Sequence, residues 1–388
     1  MLYNTLGKTG LEVSRLGFGT MRLPTFNSND EIDTEEASKM LEYGIENGIN
    51  LIDTAYPYHS KTLEGSGNSE RFVGKFLAEN NYRDEVYIST KSPSWAIESK
   101  NDFQMYLDEQ LEKLQTDYID IYLLHSLNVP DWEKVKNFDV LDFLDDCLSS
   151  GTVKHVGFSS HIEIDYLIEI IDEYPKWEVV MTQMNYFDEY YQSGIMGLEY
   201  LKEVNIGSMI MEPLRGGRLV NNIPQSVQDI WNMAEVKRTP VEWALQYLWN
   251  RDDVDCVLSG MTSLNQVKEN IEIASKIDKI SDYDGEIIRE VARQYRSFVG
   301  NRCTRCGYCM PCPEGVDIIN CLTEFNIANM LNDPKASAMQ YFTLIDEDSR
   351  ADSCIDCKKC IPFCSQMLNI PEELQRVYEY FGSEFDHF

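Results

Sequence analysis

The chain has 388 residues, of which 43% are hydrophobic, and this size and composition predict two folded domains rather than a disordered chain. Acidic residues outnumber basic residues by 65 to 34, and the formal net charge of −31 predicts a surface that repels nucleic acid and anionic lipid. No apolar run reaches the roughly 18 residues of a membrane span, and residues 1–20 lack a secretory signal pattern, so we expect a cytoplasmic protein without a membrane partner.

Eight apolar runs with the character of β-strands alternate with segments of helical periodicity from residue 14 to about residue 275. In chain order, the predicted strands are residues 14–20, 50–55, 85–91, 119–126, 153–160, 179–186, 207–214 and 255–261. Eight strand–helix units of this kind predict a closed (β/α)₈ barrel of the TIM type. An open dinucleotide-binding sheet is the alternative, but it requires G-x-G-x-x-G after its first strand, and "GFGTMR" lacks the third glycine.

The pattern changes near residue 283, after which almost nothing resembles a strand. A helical segment near 284–298, the segment "VDIINCLTEFNIANMLND" and a last segment "PEELQRVYEYFG" alternate with two cysteine-rich stretches. We therefore predict an α/β barrel domain over residues 1–283, followed by a small helical metal-binding domain over residues 284–388.

Nine of the eleven cysteines fall between Cys303 and Cys364. Without an export signal, clustered thiols predict metal rather than disulfides. The first run has the spacing C-x₂-C-x₂-C-x₂-C-P, and the second has C-x₂-C-x₂-C-x₃-C. Three thiolates at such spacing can bind three irons of an iron–sulfur cube, and in two-cluster ferredoxins the fourth cysteine of each run reaches the other cube. Zinc is the alternative, but its sites usually use separated C-x₂-C pairs.

This pattern predicts two [4Fe–4S] clusters with crossed ligand sets. One set is Cys303, Cys306, Cys309 and Cys364, and the other is Cys312, Cys354, Cys357 and Cys360. The second run resembles the ferredoxin signature, with Ser365 where proline is usual. The helical interval between the runs resembles the α-helical type of ferredoxin.

Polar residues stand where the predicted barrel strands end, which is where the catalytic residues of such barrels lie. A charged side chain that emerges from an apolar strand is costly unless it is paired, so this concentration predicts an active site. The residues are Asp53, Lys91, His125, Ser159, Ser160, Gln183 and the corner at 212–215, with Tyr58 five positions after Asp53.

The segments that carry these residues resemble the motifs of the aldo-keto reductase superfamily, in order and across residues 1 to about 275. They are "NLIDTAYPYH", "YISTKSP", "DYIDIYLLHSLN", "VKHVGFSSH" and "LRGGRL". The opening "LGKTGLEVSRLGFGT" resembles the family's N-terminal hairpin, which closes the bottom of the barrel. With its cysteine-rich tail, the whole chain resembles the branch of these reductases that has a C-terminal ferredoxin-like domain.

The resemblance implies a catalytic tetrad of Asp53, Tyr58, Lys91 and His125. Reduction of a carbonyl needs a proton at oxygen, and Tyr58 would supply it as the general acid. Lys91, held by Asp53, would lower the pKa of Tyr58 through its positive charge. His125 would orient the carbonyl oxygen. We also expect His59 to be a loop residue near the mouth of the substrate site.

The resemblance also implies a nucleotide site across the same face. Ser159, Ser160 and Gln183 would bind the nicotinamide amide, and Leu214 to Gly217, including Arg215, would wrap the pyrophosphate with backbone N–H groups. Met211 replaces the aromatic residue that commonly stacks on the nicotinamide. The remaining expected contacts are Thr20, Ser259, Gly260, Gln266, Glu269 and Asn270. Because Gly260 and Gln266 occupy positions that are often basic in NADP-binding members, the choice between NADH and NADPH stays open, with a slight preference for NADH.

Three interpretations of the combined chain remain. The first is an NAD(P)H-dependent reductase of a small carbonyl, or dehydrogenase of the alcohol, whose clusters exchange electrons with a ferredoxin-like partner or with another bound cofactor. The second is the same enzyme with clusters that only stabilise the tail or sense oxygen. The third is an electron-transfer or redox-sensing module whose barrel binds nucleotide without catalysis. The complete tetrad argues against the third. The substrate and the oligomeric state do not follow from the sequence, because substrate pockets in such barrels are built from loops.

Overall fold

A computed structural model describes residues 1–26, 28–62, 65–364 and 366–385; Ser365 lies outside the described residues. The chain divides into two compact units. The first consists of Met1–Arg215 and Thr239–Ile280, and the second consists of Gly216–Arg238 and the chain from Ser281 onward. The sequence-based division at residue 283 instead left residues 216–238 in the barrel domain.

The first unit begins with an antiparallel hairpin and continues as a closed parallel barrel. The hairpin pairs β1 (Tyr3–Thr5) with β2 (Glu12–Ser14). The barrel order is β10-β3-β4-β5-β6-β7-β8-β9, so each strand lies beside the next in sequence and the last pairs with the first. The eight barrel strands are β3 (Leu16–Gly19), β4 (Leu51–Asp53), β5 (Tyr87–Ser92), β6 (Ile119–Leu127), β7 (Val153–Ser160), β8 (Val179–Gln183), β9 (Gly207–Met211) and β10 (Cys256–Gly260).

All eight predicted barrel strands are confirmed, but five of them end earlier than predicted, and β8 and β9 do so by three residues. Strand β8 ends at Gln183 because the side chain of Asn185 accepts hydrogen bonds from two backbone N–H groups and closes a turn. Strand β9 ends at Met211 because Glu212 and Arg215 have positive φ angles of 55° and 49°, a conformation that extended backbone cannot continue through.

Helices cover the outside of the barrel and connect its strands. Their bounds are α1 (Thr34–Glu46), α2 (Ser69–Asn80), α3 (Lys100–Leu114), α4 (Val129–Asn137), α5 (Val140–Ser150), α6 (Ile164–Glu173), α7 (Gly194–Glu203), α9 (Pro240–Trp249) and α10 (Leu264–Ala274), with α8 (Gln225–Trp231) in the second unit. Side-chain caps define several starts: Asp33 accepts from the backbone N–H of Glu36 before α1, and Thr239 forms a capping box with Glu242 at α9.

Two apolar layers hold this unit together. The barrel interior is filled by side chains such as Ile121, Met181 and Leu258, and the hairpin closes one end by adding Leu6 and Val13 to the same cluster. The Gly7 backbone N–H donates to the carboxylate of Asp255 at 3.0 Å, which ties the hairpin to the start of β10. The second layer lies between the strands and the surrounding helices. A packed interior leaves the strand ends as the place for a site.

The second unit is helical in the part of the chain that the structure describes. After α8 it contains α11 (Asp282–Arg296), α12 (Ile318–Leu331), α13 (Pro334–Leu344) and α14 (Ile370–Phe385). Helices α8 and α11 pack together, which explains why residues 216–238 leave the barrel unit. A second core forms around α12, α13 and α14, with Phe325, Tyr341 and Leu374 among its buried members. None of the described helices is long and apolar enough to cross a membrane.

Candidate active site and cysteine cavities

Three of the four predicted tetrad residues form one hydrogen-bonded group at the strand ends. Lys91 on β5 places its Nζ atom 2.9 and 2.8 Å from the carboxylate oxygens of Asp53, the last residue of β4. The same ammonium donates to the Tyr58 hydroxyl at 3.2 Å and to the Thr54 carbonyl at 2.7 Å. Lys91 and Asp53 are buried, whereas Tyr58 keeps part of its surface accessible. The accessible member of the group is therefore the one that can exchange a proton with a ligand.

Further polar contacts fix Asp53 within the barrel. Ser89, two residues before Lys91 on β5, donates from Oγ to Asp53 Oδ1 at 3.0 Å. Thr20 donates from Oγ1 to the Asp53 backbone carbonyl at 3.0 Å, and Ser69 donates to Thr20 Oγ1 at 2.7 Å. Thr20, expected as a nucleotide contact, thus also holds the backbone of Asp53 in place.

Burial and charge act in opposite directions on this group. Burial raises the pKa of the Tyr58 hydroxyl above its ordinary value, and the positive charge of Lys91 offsets only part of that increase. Burial lowers the pKa of Lys91, but Asp53 and Tyr58 more than compensate, so the net shift is upward and the ammonium stays charged. Lys91 thus lowers the pKa of Tyr58, as expected. The net pKa shift of Tyr58 is nevertheless upward, the reverse of our expectation, because desolvation is the larger effect.

The fourth residue, His125, lies beside the Tyr58 ring near the end of β6. The two ring centroids are 5.9 Å apart at an interplanar angle of 78°. The ring centroid of Trp95 lies 5.0 Å from that of His125. Burial, followed by the charges of Lys91 and His161, lowers the pKa of His125 well below its usual value. The ring is therefore neutral near pH 7. Its Nδ1 atom is buried without a hydrogen-bond partner among the described residues, which fits a site that awaits a ligand.

The residues expected at the nicotinamide lie together at the ends of β7 and β8. Ser160 Oγ is buried and has no hydrogen-bond partner within the described residues, which makes it available for a ligand amide. Ser159 Oγ already accepts a 2.8 Å bond from the Ser126 backbone, and Gln183 Nε2 donates to Asp188 at 2.8 Å. Met211 ends β9 beside Gln183 in register and is partly buried.

The corner at residues 212–215, which overlaps the segment expected at the pyrophosphate, is stabilised by contacts that the sequence does not indicate. The Arg215 backbone N–H donates to Glu212 O at 2.9 Å, and its guanidinium donates to Asp188 at 2.7 Å. Arg215 is therefore engaged in holding the corner in this structure. Leu214 is partly buried next to it, and Gly217 has a φ of 93°, which requires glycine.

The residues expected after β10 divide into a buried pair and an exposed rim. Asn270 donates to Ser259 Oγ at 2.8 Å in the interior, whereas Gly260, Gln266 and Glu269 are exposed. Gln266 Oε1 accepts from the Thr262 backbone at 2.7 Å and so shapes the turn before α10.

One cation near this rim was not anticipated from the sequence. A Cβ atom placed on Gly260 would lie only 3.2 Å from Cδ of Arg22, so the Arg22 side chain packs directly against Gly260. Arg22 is exposed and follows the first barrel strand, far from Gly260 in sequence. Only the closure of the barrel by β10 and β3 brings the two together. The rim therefore retains a positive charge.

His59 lies in a turn, as expected of a loop residue, but its side chain is buried rather than exposed at the substrate mouth. Its ring nitrogens lie 2.6 Å from the Asn29 carbonyl and 3.0 Å from the Thr20 carbonyl. The residue immediately after Tyr58 thus fastens that loop to the segment beyond β3, which leaves Tyr58 as the accessible side chain.

Comparisons with known proteins identify the barrel. A model of the Aldo/keto reductase family matches residues 15–293. The chain belongs to the aldo/keto reductase family. It is an NAD(P)-dependent oxidoreductase, similar to proteins named as reductases and dehydrogenases.

Several known proteins show the extent of this likeness. An NADH-specific methylglyoxal reductase of Escherichia coli is 25% identical over 337 residues, covering 74% of this chain and 97% of the relative. An L-galactose dehydrogenase of Arabidopsis thaliana is 26% identical, covering 74% of this chain and 92% of the relative. The solved holo form of an aldo-keto reductase from Bacillus halodurans is 25% identical, with a TM-score of 0.61, covering 75% of this chain and 96% of that structure.

The family model ends at residue 293, before the first cysteine run of this aldo/keto reductase. The cysteines of the two runs lie around two cavities in the second unit. One is lined by Cys303, Cys306, Cys309 and Cys364, and the other by Cys309, Cys312, Cys354, Cys357 and Cys360. Each cavity thus contains one of the predicted crossed sets in full. All eleven cysteines belong to the described part of the chain, and none of them forms a disulfide there.

Backbone amides point at two sulfurs of the first cavity. The Arg305 N–H donates to Cys303 Sγ and the Leu368 N–H donates to Cys364 Sγ, both at 3.5 Å. Asn301 accepts from the Cys303 backbone N–H at 2.9 Å and so fixes the start of the run. In the part of the chain that the structure describes, no three or more His, Cys, Asp or Glu side chains gather as ligands for a metal ion.

Proposed function

We propose that this enzyme reduces a small-molecule aldehyde or ketone, or oxidises the corresponding alcohol, with Tyr58 as the general acid or base. The observation that carries the proposal is the position of the Lys91 ammonium, which contacts the Asp53 carboxylate and the Tyr58 hydroxyl at once. A buried, charged lysine beside a partly accessible tyrosine suits proton transfer to a carbonyl oxygen.

The reaction needs a hydride at the carbonyl carbon and a proton at its oxygen. Bound NADH or NADPH supplies the hydride. Tyr58 donates its hydroxyl proton to the oxygen, and the resulting tyrosinate is stabilised by Lys91. Asp53 holds Lys91 in place and balances its charge. His125, neutral because burial lowers its pKa, can donate one hydrogen bond that orients the carbonyl.

For the nucleotide, we propose that Ser160 binds the nicotinamide amide, with Ser159 and Gln183 at its sides. The buried Ser160 hydroxyl, which has no hydrogen-bond partner among the described residues, supports this, since such groups are costly without a ligand. We keep the slight preference for NADH, because Gly260 and Gln266 are not basic and because one relative is named as NADH-specific. Arg22, packed on Gly260, offers one charge to an adenosine phosphate.

For the second unit, we propose a ferredoxin-like domain with two [4Fe–4S] clusters, one in each cysteine cavity. The four members of each crossed set line one cavity, although they come from two runs more than forty residues apart. Four thiolates around a single zinc lie ~3.8 Å apart, whereas a cube binds each thiolate to a different iron and spreads them more widely. The N–H groups directed at Cys303 and Cys364 are also typical of cluster sites.

We propose that the clusters exchange single electrons with a ferredoxin-like partner. Each cavity includes one exposed cysteine, Cys306 in the first and Cys357 in the second, so each cluster would lie near solvent. When bound, a cluster supplies one electron at a time, unlike the paired electrons of a hydride.

Steady-state reduction of small aldehydes, methylglyoxal among them, tests the central proposal. Anaerobically purified protein should oxidise NADH or NADPH in step with aldehyde loss. Absence of turnover with every small aldehyde and ketone tested, although both nucleotides bind, would overturn the proposal and favour the non-catalytic module.

A further inference from the structure

Behind the tetrad lies a buried ion pair that the proposed mechanism does not use. Glu70 of α2 and Lys113 of α3 are joined at 2.7 Å, and both side chains are 0% exposed. Burying two charges is expensive, and apolar residues of similar volume are often more stabilising. The pair therefore needs a reason beyond stability.

The carboxylate of Glu70 is linked to the strand that carries Lys91. Its Oε1 atom accepts hydrogen bonds from Thr90 Oγ1 and Gln110 Nε2, both at 2.6 Å. Gln110 Nε2 also donates to the Lys91 backbone carbonyl at 3.1 Å. The Gln110 Oε1 atom accepts from the Tyr122 hydroxyl on β6 at 2.9 Å. Strand β5 is thus held at the Thr90 side chain by α2 and at the Lys91 carbonyl by α3.

The other partner, Lys113, contacts the loop that carries Tyr58. Its ammonium lies 4.0 Å from the ring centroid of Tyr56, two residues before Tyr58. The Tyr56 hydroxyl donates to Glu109 on α3 at 2.9 Å, so this ring is held at both its face and its edge. One ion pair therefore supports both the strand of Lys91 and the loop of Tyr58.

The start of α2 also reaches Asp53. Ser69, the neighbour of Glu70, bonds to Thr20, and Thr20 bonds to the Asp53 carbonyl. The Thr54 hydroxyl donates to Ser69 Oγ at 3.0 Å. Three members of the tetrad are consequently supported by contacts that meet at the first turn of one helix.

We propose that Glu70 is a positioning residue which, with Gln110 and Lys113, sets the separation between Lys91 Nζ and the Tyr58 hydroxyl. The inference rests on the proposed role of Tyr58 as the general acid. At an effective dielectric constant of ~20, lengthening a contact of this size by ~1 Å changes the pKa of the acid by roughly one unit. A small displacement of the strand therefore alters the chemistry without unfolding the barrel.

The substitution Gln110→Met tests this with little change in volume. It removes the donors to Glu70 and to the Lys91 carbonyl but keeps the ion pair. We expect the Tyr58 titration to move upward by at least half a pH unit, because Lys91 acts less strongly on it. We expect kcat for carbonyl reduction to fall about 10-fold, since general acids contribute 10²- to 10⁴-fold, with KM for the nucleotide unchanged. The titration is read from ¹³Cζ-tyrosine NMR, with the Tyr58 signal identified by its loss in Tyr58→Phe.

A second buried ion pair provides the matched control. Arg238 and Asp284 in the second unit lie 2.8 Å apart with side chains 2% and 1% exposed. Asp284→Asn should lower Tm without moving the Tyr58 titration. Glu70→Gln should move the Tyr58 titration in the same direction as Gln110→Met. If the Glu70→Gln variant fails to fold, the Gln110→Met variant alone tests the positioning role.

The NMR titration does not need turnover, so the two proposals can fail separately. Wild-type protein that reduces no carbonyl would overturn the proposed function, and the titration in Gln110→Met would still test the positioning role. An unchanged Tyr58 titration in Gln110→Met, with a lowered Tm, would overturn the positioning role and leave the Glu70 group with a purely structural one.

Discussion

The ammonium of Lys91 lies 3.2 Å from the hydroxyl oxygen of Tyr58, although the two residues are 33 positions apart, with Lys91 on β5 and Tyr58 after β4. The ammonium is buried and the tyrosine is partly accessible. A charge at this distance favours the tyrosinate, while burial favours the phenol. The balance leaves a tyrosine that is fully protonated at neutral pH and can still lose its proton during a reaction.

The pH dependence of carbonyl reduction follows from these shifts. The pKa of His125 is lowered from 6.5, so the ring is neutral above about pH 6.5. The pKa of Tyr58 is raised from 10.0, so its proton is present below about pH 10. Both shifts widen the window in which His125 is neutral and Tyr58 is protonated. We expect kcat/KM for reduction to be flat from about pH 6.5 to about pH 9.5. A descending limb between those values, measured in a constant-ionic-strength buffer, would contradict these assignments.

Replacing Lys91 tests the charge beside Tyr58, the proposed general acid. Lys91→Met should lower kcat for reduction by about 10²-fold or more, since Tyr58 loses the partner that stabilises its anion. It also leaves Asp53 buried without its partner, so unfolding free energy should fall by about 3 kcal/mol. Because Lys91 and Tyr58 serve one step, the double mutant with Tyr58→Phe should be little slower than either single mutant. Additive losses in single-turnover kinetics would mean that the two residues act independently.

Nucleotide preference should depend on Arg22. With Gly260 and Gln266 at the rim, we expect the affinities for NADH and NADPH to differ by less than about tenfold, which corresponds to ~1.4 kcal/mol. Arg22→Met should weaken NADPH binding by up to about tenfold and leave NADH binding nearly unchanged. Lys268→Met is the control, because the Lys268 ammonium lies 5.3 Å over the Tyr43 ring. Fluorescence titration measures both affinities. Equal weakening of NADPH binding by both substitutions would reject the specific role of Arg22.

The two cysteine cavities predict how iron is lost. Wild-type protein purified without oxygen should contain about eight iron atoms. Cys364→Ser should remove about four by disrupting the first cavity, and Cys312→Ser should remove about four from the second. Cys321→Ala should remove none, because this buried thiol, whose pKa burial raises to about 12, lines neither cavity. Iron and sulfide analysis measures this. Stoichiometric zinc without iron would overturn the cluster assignment.

The sequence predicts the barrel well because its signals are local. Apolar runs of strand length recur at regular intervals, and the polar residues at their ends indicate an active site, in which the resemblance to the family implies the tetrad. Arg22 could not be found this way, since its proximity to Gly260 depends on closure of the barrel between the first and last strands. The burial of His59 also depends on distant backbone carbonyls.

The segment 216–238 shows the same limit at the level of domains. Its local pattern, including the short helix α8, resembles other barrel connections, and only packing on α11 and the ion pair between Arg238 and Asp284 assign it to the second unit. For Tyr58, the sequence indicates the neighbouring charge but not the depth of burial, and burial determines the direction of its pKa.

Reduction of an aldehyde by the Tyr58→Phe variant tests the central claim most directly. The substitution keeps the ring and removes only the hydroxyl, so the fold and nucleotide affinity should be nearly unchanged. Single-turnover reduction should slow by at least 10²-fold, in the range expected for loss of a general acid. Electron exchange between the proposed clusters and an external dye should be unaffected. Wild-type reduction rates in Tyr58→Phe would contradict the account and remove the tetrad from the mechanism.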